Sequence, residues 1–156
     1  MKITIDPEFR KLIQAPSREE VQQLEANIVA DGCRDALVLW RGILLDGHNR
    51  YEICTRLKIK FNTIELDVAD RDDAMIWVIR NQFGRRNLSN MTRAELGLKL
   101  EGLLARQAKE EQRKHGGTAP GRKSLPKKSS EVSAAARETR NKVAAAAGVS
   151  HDTLRK

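Results

Sequence analysis

The pattern of apolar and polar positions predicts short β-strands in the first half of the chain. Apolar runs at 36–40 and 43–45 are separated by Arg41-Gly42, a pair that fits a two-residue hairpin. Alternation over 2–6 and over 61–67 predicts two further strands, the first of which stops at a proline. We therefore expect a small sheet in this half of the chain.

Between and after these strands, apolar residues recur at helical spacing. Ser17 and Glu20 form the sequence pattern of a capping box, which marks the start of a helix. Asp70 and Thr92 are expected to cap two later helices. The predicted helices run from Ser17 to about Gly32, from the Gly47 turn to about Leu57, from Arg71 to Gln82, and from Thr92 to about Lys114.

The composition changes in the last third of the chain. Residues 115–130 hold three glycines and two prolines among basic and hydroxyl residues, which is typical of a linker. A helix through 139–147, a turn at 148–150 and the start of another helix follow. This order predicts a domain at 1–90, a helical connector at 91–114, a basic flexible linker at 115–130 and a helical pair at 131–156.

Charge separates the same regions. The net charge is +8, yet the first 105 residues carry as many acidic as basic side chains, so the whole excess lies after them. A neutral body with a basic tail indicates a polyanionic partner, although a solvated linker would have the same composition. The sequence predicts no membrane span and no signal peptide, and its two separated cysteines favour a cytoplasmic location.

The candidate chemistry centres on the stretch 43–51, Ile-Leu-Leu-Asp-Gly-His-Asn-Arg-Tyr. An apolar strand stops at Gly47 and a helical pattern starts at once. Such a turn directs backbone N–H groups and the positive end of a helix dipole outward, which favours an anion. Arg50 adds a permanent positive charge beside this turn.

A second motif lies near the end of the chain. Alanines before Gly148, an apolar Val149 and a capping Ser150 follow the pattern of a helix-turn-helix. In that arrangement Ser150, His151 and Thr153 would face DNA bases, and Arg155 and Lys156 would reach phosphates. A plain helical hairpin is the alternative interpretation. The second helix is cut off after Lys156, so we expect the motif to be partial.

The order of these features resembles the ParB family of partition proteins and their plasmid and phage relatives, which share a ParB/sulfiredoxin-like fold and are often described as ParB-like nuclease domains. In that family a G-E-R-R turn holds the triphosphate of CTP, and Gly47-His48-Asn49-Arg50 stands in its place. A later E-N-x-x-R segment completes the family's nucleotide site, and Asn81–Arg85 is the nearest match here. The resemblance covers roughly residues 20 to 156.

The resemblance implies a phosphate-binding set that combines both motifs. Its members are Gly47, His48, Asn49, Arg50, Asn81, Arg85 and Arg86. This chain departs from the family at three of these positions, because His48 and Asn49 replace a glutamate and an arginine, and Asn81 replaces an acidic residue. We therefore expect phosphate binding to be kept in preference to hydrolysis, with CTP or ATP and Mg²⁺ as the implied ligands.

Catalysis is the alternative on the same fold, as a nucleotide hydrolase, a phosphotransferase or a metal-dependent nuclease. Asp46, His48 and Glu52 are the candidate catalytic residues because they lie at or near the turn. No spacing of cysteines and histidines predicts a metal site. Cys54 lies on the apolar face of the predicted helix, so we interpret it as a core residue.

The sequence therefore predicts an α+β fold: a small ParB/sulfiredoxin-like mixed-sheet domain followed by a long helix and a partial helix-turn-helix. The predicted function is that of a ParB-like DNA-binding protein in partition or regulation, which forms a homodimer. A nucleotide-type phosphate pocket would control its self-association. DNA and a nucleotide are the expected partners.

Overall fold

The computed structural model describes residues 3–85, 88–115 and 129–150, without the side chains of His115 and of 129–136. It divides into two compact units, one ending at Gln82 and the other beginning at Phe83. Five residues that the sequence marked as candidate ligands lie outside the described residues: Arg86, His151, Thr153, Arg155 and Lys156. Most of the predicted linker at 115–130 lies outside them too.

The first unit combines short helices with a small sheet. Its elements are α1 (Pro7–Lys11), α2 (Arg18–Asp31), β1 (Leu37–Trp40), β2 (Ile43–Asp46), α3 (His48–Leu57), β3 (Thr63–Glu65) and α4 (Arg71–Phe83), the last of which ends at the unit boundary. Within the described residues the sheet has the order β2-β1-β3. β1 pairs antiparallel with β2 and parallel with β3, so the sheet is mixed, as predicted.

The predicted hairpin between β1 and β2 is confirmed. Arg41 and Gly42 have φ angles of 49° and 77°, and two consecutive positive φ angles are the mark of the tight turn that matches strand twist. The strand predicted at 61–67 is present but shorter, because only β3 (Thr63–Glu65) is paired as a strand.

The predicted strand at 2–6 was wrong as a full strand. It is reduced to one bridge between Thr4 and Ile43, because the chain turns into α1 at Pro7. The Asp6 side chain caps this helix by accepting from the Glu8 N–H at 2.8 Å. Proline is well suited to the first turn of a helix, where its missing N–H would have no partner.

Two apolar clusters hold the first unit together. Leu37, Leu39 and Leu44 form one on the sheet, and Ile28, Ile53 and Cys54 form the other between α2 and α3. The interpretation of Cys54 as a core residue is confirmed, since its side chain is fully buried. Burial raises the pKa of the Cys54 thiol to about 11, and a hydrogen bond with the Cys33 thiol adds to the shift. Its reactive thiolate form is therefore scarce at neutral pH.

Three predicted helix caps can be compared with the structure. The Asp70 cap of α4 is confirmed, since the Asp70 carboxylate accepts from the Asp73 N–H at 2.9 Å. The capping box before α2 is confirmed, with Glu20 N–H donating to the Ser17 hydroxyl at 3.2 Å and Ser17 N–H donating to the Glu20 carboxylate at 2.8 Å. The prediction that Thr92 caps the long helix was wrong. That helix begins at Asn90, because the Ser89 hydroxyl accepts from the Thr92 N–H at 3.1 Å and so provides the cap.

The second unit contains two longer helices, α5 (Asn90–His115) and α6 (Ser129–Ala147). Three leucines of α5 are buried, Leu96, Leu100 and Leu103, and Leu104 is partly exposed. Among the side chains of α6 that the structure describes, those of Val143, Ala144 and Ala147 are buried, and Arg140 forms an ion pair of 2.9 Å with Glu101. Across the described ranges, no helix combines the length and apolar character needed to cross a membrane.

Candidate phosphate-binding site

Gly47 makes the turn from β2 into α3. Its φ and ψ angles are 91° and 24°, a left-handed conformation that side chains with a Cβ rarely adopt. A Cβ at this position would lie 2.5 Å from Leu37 Cδ2, deep inside van der Waals contact. The α3 backbone then starts with the Tyr51 N–H donating to the Gly47 carbonyl at 2.8 Å. Both conformation and space therefore require a glycine here.

The same turn creates an anion-binding geometry at the start of α3. The first N–H groups of a helix have no acceptor within the helix, and they carry the positive end of its dipole. Because α3 begins at His48, these groups belong to His48, Asn49 and Arg50. The prediction that a helix begins at this turn is confirmed, and binding of an anion there stays a prediction.

Arg50 is already paired with carboxylates. Its guanidinium donates to Asp46 at 3.0 Å, to Asp35 at 3.2 Å and to the Ala36 carbonyl at 3.4 Å. The side chains of Arg50 and Asp46 are only 19% and 16% exposed, whereas that of Asp35 is 81% exposed. The positive charge of Arg50, which the sequence predicted to attract an anion, is therefore compensated by carboxylates of the first unit. Of these partners, the exposed Asp35 is the one that an anion would displace most readily.

A cavity of about 320 Å³ adjoins this ion-pair cluster. Arg34, Asp35 and Arg50 are among its charged lining residues, together with Asp31. Sequence reasoning did not single out Arg34 or Asp35. The signal was weak, because only the fold brings the segment after α2 to the start of α3.

A second cavity, which we call the Arg10 cavity, has a volume of about 370 Å³. It is lined by Ile5, Arg10, His48, Tyr51, Glu52, Thr55 and Arg56. Arg10 Nη2 donates to the Asn49 side-chain oxygen at 3.4 Å, which ties α1 to the first turn of α3. Sequence reasoning missed Arg10, because α1 was not predicted and the contact spans 39 residues.

The three candidate catalytic residues divide between these environments. Asp46 faces Arg50, whereas His48 and Glu52 both line the Arg10 cavity. His48 is only 5% exposed, although it lies in the first turn of α3. The structure therefore brings His48 and Glu52 to one cavity without Asp46, and a catalytic role for any of them stays a prediction.

The second motif of the predicted pocket lies at the end of α4 and just after it. Asn81 and Arg85 are exposed. Gln82 is fully buried, and neither atom of its side-chain amide has a hydrogen-bond partner among the described residues. The Arg85 carbonyl accepts from Arg93 Nη2 at 3.1 Å. Phosphate binding by Asn81 and Arg85 stays a prediction.

A glycine turn follows α6, and a helix-turn-helix at this point stays a prediction. Gly148 is left-handed with a φ of 65°, and the N–H groups of Gly148 and Val149 donate to Ala145 and Ala144 at 3.2 and 3.1 Å. This pair of bonds is a Schellman motif, which ends a helix at a glycine. Ser150 follows it in an exposed position.

Arg93 holds the end of α6 in the second unit. Its guanidinium donates to the Ala147 carbonyl at 3.2 Å and to the Phe83 carbonyl at 3.3 Å, besides that of Arg85. A cation near the last carbonyls of a helix stabilises that end. Arg93 therefore fixes where the turn at Gly148 begins.

The acidic, cysteine and histidine side chains do not form a protein metal site in the part of the chain that the structure describes. Asp46, the acidic residue nearest the Gly47 turn, is bonded to Arg50. The residues at the turn therefore fit phosphate oxygens better than a bare cation. A Mg²⁺ ion that arrived with phosphates would keep most of its ligands as phosphate oxygens and water.

Comparison with solved structures identifies the fold. No protein-family model and no curated protein matched the sequence. The C2221 form of a Pnob8-like ParB-N domain is similar in structure, with a TM-score of 0.68 and 18% identity over 99% of this chain and 63% of that one. A pNOB8-like ParB N-domain matches with a TM-score of 0.55 and 24% identity, over 72% of this chain and 43% of that one.

The chain thus spans less than two thirds of the length of either solved structure. At these identities the likeness establishes the arrangement of the backbone and leaves activity and partners open. The predicted resemblance is confirmed at the level of the fold: the chain has a ParB-family fold.

Proposed function

We propose that this chain is part of a ParB-like, partition-type DNA-binding protein whose self-association is controlled by a nucleotide. The observation that carries this proposal is the likeness to a ParB-N domain over 99% of the chain. The glycine turns at the start of α3 and at the end of α6 support it, because they lie where the family's phosphate turn and its helix-turn-helix are expected.

The nucleotide's phosphate oxygens bind the N–H groups of His48, Asn49 and Arg50. Gly47 supports this role because its left-handed conformation turns the chain from β2 into the helix to which these N–H groups belong. Arg50 remains bonded to Asp46 and shapes the turn, whereas the exposed carboxylate of Asp35 adds a negative charge that an incoming phosphate must overcome.

Replacing Asp35 tests the nucleotide site. Asp35→Asn removes this charge from an exposed side chain, so we expect calorimetric titration with CTP or ATP and Mg²⁺ to show tighter binding, by about twofold to fivefold for an exposed pair. Asp31→Asn is the matched control, because Asp31 lines the same cavity but pairs with Arg34 at 2.6 Å instead of Arg50. Absence of heat with any nucleotide would contradict a nucleotide switch.

DNA contacts come from Ser150 and the residues that follow it and from the basic residues after position 105, where all the excess positive charge lies. Replacing Arg155 and Lys156 together with glutamine should weaken DNA binding and lower the salt dependence by about one counterion for each phosphate that is no longer neutralised. Lys11→Gln with Lys60→Gln is the control of equal charge in the first unit. Fluorescence anisotropy with labelled duplex DNA measures both.

Nucleotide control of self-association needs a separate measurement. Sedimentation velocity of the chain with and without CTP and Mg²⁺ should show a larger species in the presence of the nucleotide that binds calorimetrically. An unchanged sedimentation coefficient at saturating nucleotide would contradict the control of self-association and would leave the DNA-binding proposal standing.

A further inference from the structure

Two guanidinium groups flank the start of α3, and only one of them is compensated. Arg50 donates to two carboxylates. The Arg10 side chain makes a single hydrogen bond to the described residues, the long one of 3.4 Å to Asn49, and no ion pair with them. Its Nη1 atom is buried and has no hydrogen-bond partner in the same part of the chain. Arg10 is therefore the cation at this end of α3 whose charge is available.

An uncompensated guanidinium at this depth is unfavourable in the absence of an anion. Its buried Nη1 has lost its hydration without gaining an acceptor among the described residues, and this loss is more unfavourable for a charged group than for a neutral one. An anion that accepts from both Nη atoms removes this cost and forms charge-assisted bonds in their place. The structure around Arg10 thus favours an anionic group in the Arg10 cavity.

Arg10 is held in this position by the packing of α1. Phe9, its neighbour, is fully buried and meets the Trp40 ring edge to face at a centroid distance of 6.3 Å. Arg71 of α4 donates to Asp6 at 2.8 Å and to Glu8 at 2.9 Å, which clamps the first turn of the short helix. Arg10 is therefore presented by an anchored element, which reduces the entropy lost when a ligand binds.

We propose that Arg10, and not Arg50, is the side chain that binds the ligand's phosphate oxygens beside the α3 N-terminus, with the body of the ligand in the Arg10 cavity. This inference rests on the nucleotide binding proposed above. It identifies the cation that binds the phosphates and the side of α3 on which the nucleotide lies. The cavity's volume of about 370 Å³ lies within the range of small-ligand sites. Its apolar lining by Ile5 and Tyr51 and the Thr55 hydroxyl suit a nucleoside, and Glu52 can accept from ligand hydroxyl or amino groups.

The test compares two neighbouring charges on α1. Isothermal titration of the whole chain is performed with CTP and Mg²⁺, with ATP and Mg²⁺, and with inorganic tripolyphosphate. Arg10→Gln should weaken binding of each phosphate ligand that the wild type binds, by about 10- to 100-fold, the effect of losing a charge-assisted bond. Lys11→Gln removes the same charge from an exposed neighbour and should change affinity by less than about twofold.

The conservative variant Arg10→Lys gives a second test of the same assignment. It keeps the charge but loses the two-pronged geometry, so its affinity should fall between those of the wild type and Arg10→Gln. Circular dichroism and urea midpoints equal to those of the wild type show that each variant is folded, and Arg10→Lys carries the test alone if Arg10→Gln does not fold.

The outcomes separate the two proposals. Nucleotide binding by the wild type that Arg10→Gln and Arg10→Lys leave unchanged would overturn the assignment of Arg10 and keep the nucleotide site. A wild type that binds none of the three probes would overturn both. Equal losses in Arg10→Gln and Lys11→Gln would show a general charge effect and would also overturn the assignment.

Discussion

The two sides of the α3 N-terminal turn carry the same kind of side chain in opposite electrostatic situations. On one side Arg50 is bonded to Asp46 and Asp35, and its guanidinium packs over Gly47, where a Cβ would lie 3.1 Å from Nη2. On the other side Arg10 has only the Asn49 amide oxygen among its described neighbours. An arginine beside a phosphate-type turn can therefore stabilise the turn or bind a ligand, and its ion pairs distinguish the two roles.

The position of Arg10 beside the turn depends most on the aromatic contact between Phe9 and Trp40. Phe9→Ala should lower the free energy of unfolding by about 4 kcal/mol, because it removes a fully buried ring that packs on Trp40. Urea denaturation followed by tryptophan fluorescence measures the loss. Phe9→Leu keeps most of the apolar volume and should cost less than half as much; equal losses would contradict anchoring of α1 by this packing.

The shape of the turn between the Arg10 and Arg50 side chains depends on Gly47. Gly47→Ala should cost about 3 kcal/mol, the sum of a strained positive φ and of overlap with the Leu37 side chain. Gly148→Ala is the matched control, since Gly148 also has a positive φ, of 65°, but an added Cβ there would meet no atom nearer than Arg93 Nη1 at 3.8 Å. It should cost about 1 kcal/mol. The same loss of unfolding free energy in both variants would show that overlap at Gly47 plays no part.

The Arg50 side depends on Asp46. Asp46→Asn should destabilise the chain by about 2 kcal/mol, because it leaves a largely buried guanidinium without its least exposed carboxylate. Asp35→Asn should cost less than about 0.5 kcal/mol, because Asp35 is mostly exposed. Chemical denaturation of both variants checks the order, and a larger loss in Asp35→Asn would reverse our view of which carboxylate holds Arg50.

The smallest expected effect concerns pH and the α1 clamp. Burial by itself would raise the pKa of Asp6, but hydrogen bonds from Arg71 and from the Glu8 N–H outweigh it and lower that pKa below its ordinary value. A carboxyl whose pKa is lower in the folded state contributes stability above its unfolded pKa and loses it as the pH falls through the folded value.

The wild type should therefore lose stability more steeply than Asp6→Asn below about pH 4, where an unfolded aspartate begins to protonate. Asparagine at this position can still cap α1 but cannot titrate. Urea midpoints between about pH 3 and 7 for both proteins measure the difference. Parallel pH profiles would contradict a contribution of Asp6 to the clamp.

Local patterns in the sequence predicted the parts of the fold that depend on near neighbours. The hairpin at Arg41-Gly42, the capping box at Ser17 and the left-handed Gly148 each arise from residues within a few positions of one another, so their residue types are informative. The turn at Gly47 belongs to the same class. The ParB-family fold itself was indicated by a resemblance, which rested on the order of the elements and on the segments 46–50 and 81–89.

The electrostatics of the candidate site could not be predicted in the same way. From the sequence, Arg50 is expected to be a cation that is available to a ligand. Its ion pair with Asp35 forms only because the fold brings the segment after α2 to the start of α3. Arg10 belongs to a helix of five residues, which is too short to leave a periodic pattern. Compensation of charge is a property of long-range contacts, and sequence patterns do not report it.

The most direct test of the account is a titration with tripolyphosphate followed by two-dimensional ¹H–¹⁵N NMR of the labelled chain. If phosphate oxygens bind at the Arg10 side of the turn, the backbone amides of His48 and Asn49 and the side-chain Nε–H of Arg10 will shift together and saturate at one affinity. Shifts confined to Arg34, Asp35 and Arg50, or no saturable shift at His48 and Asn49, would contradict the account.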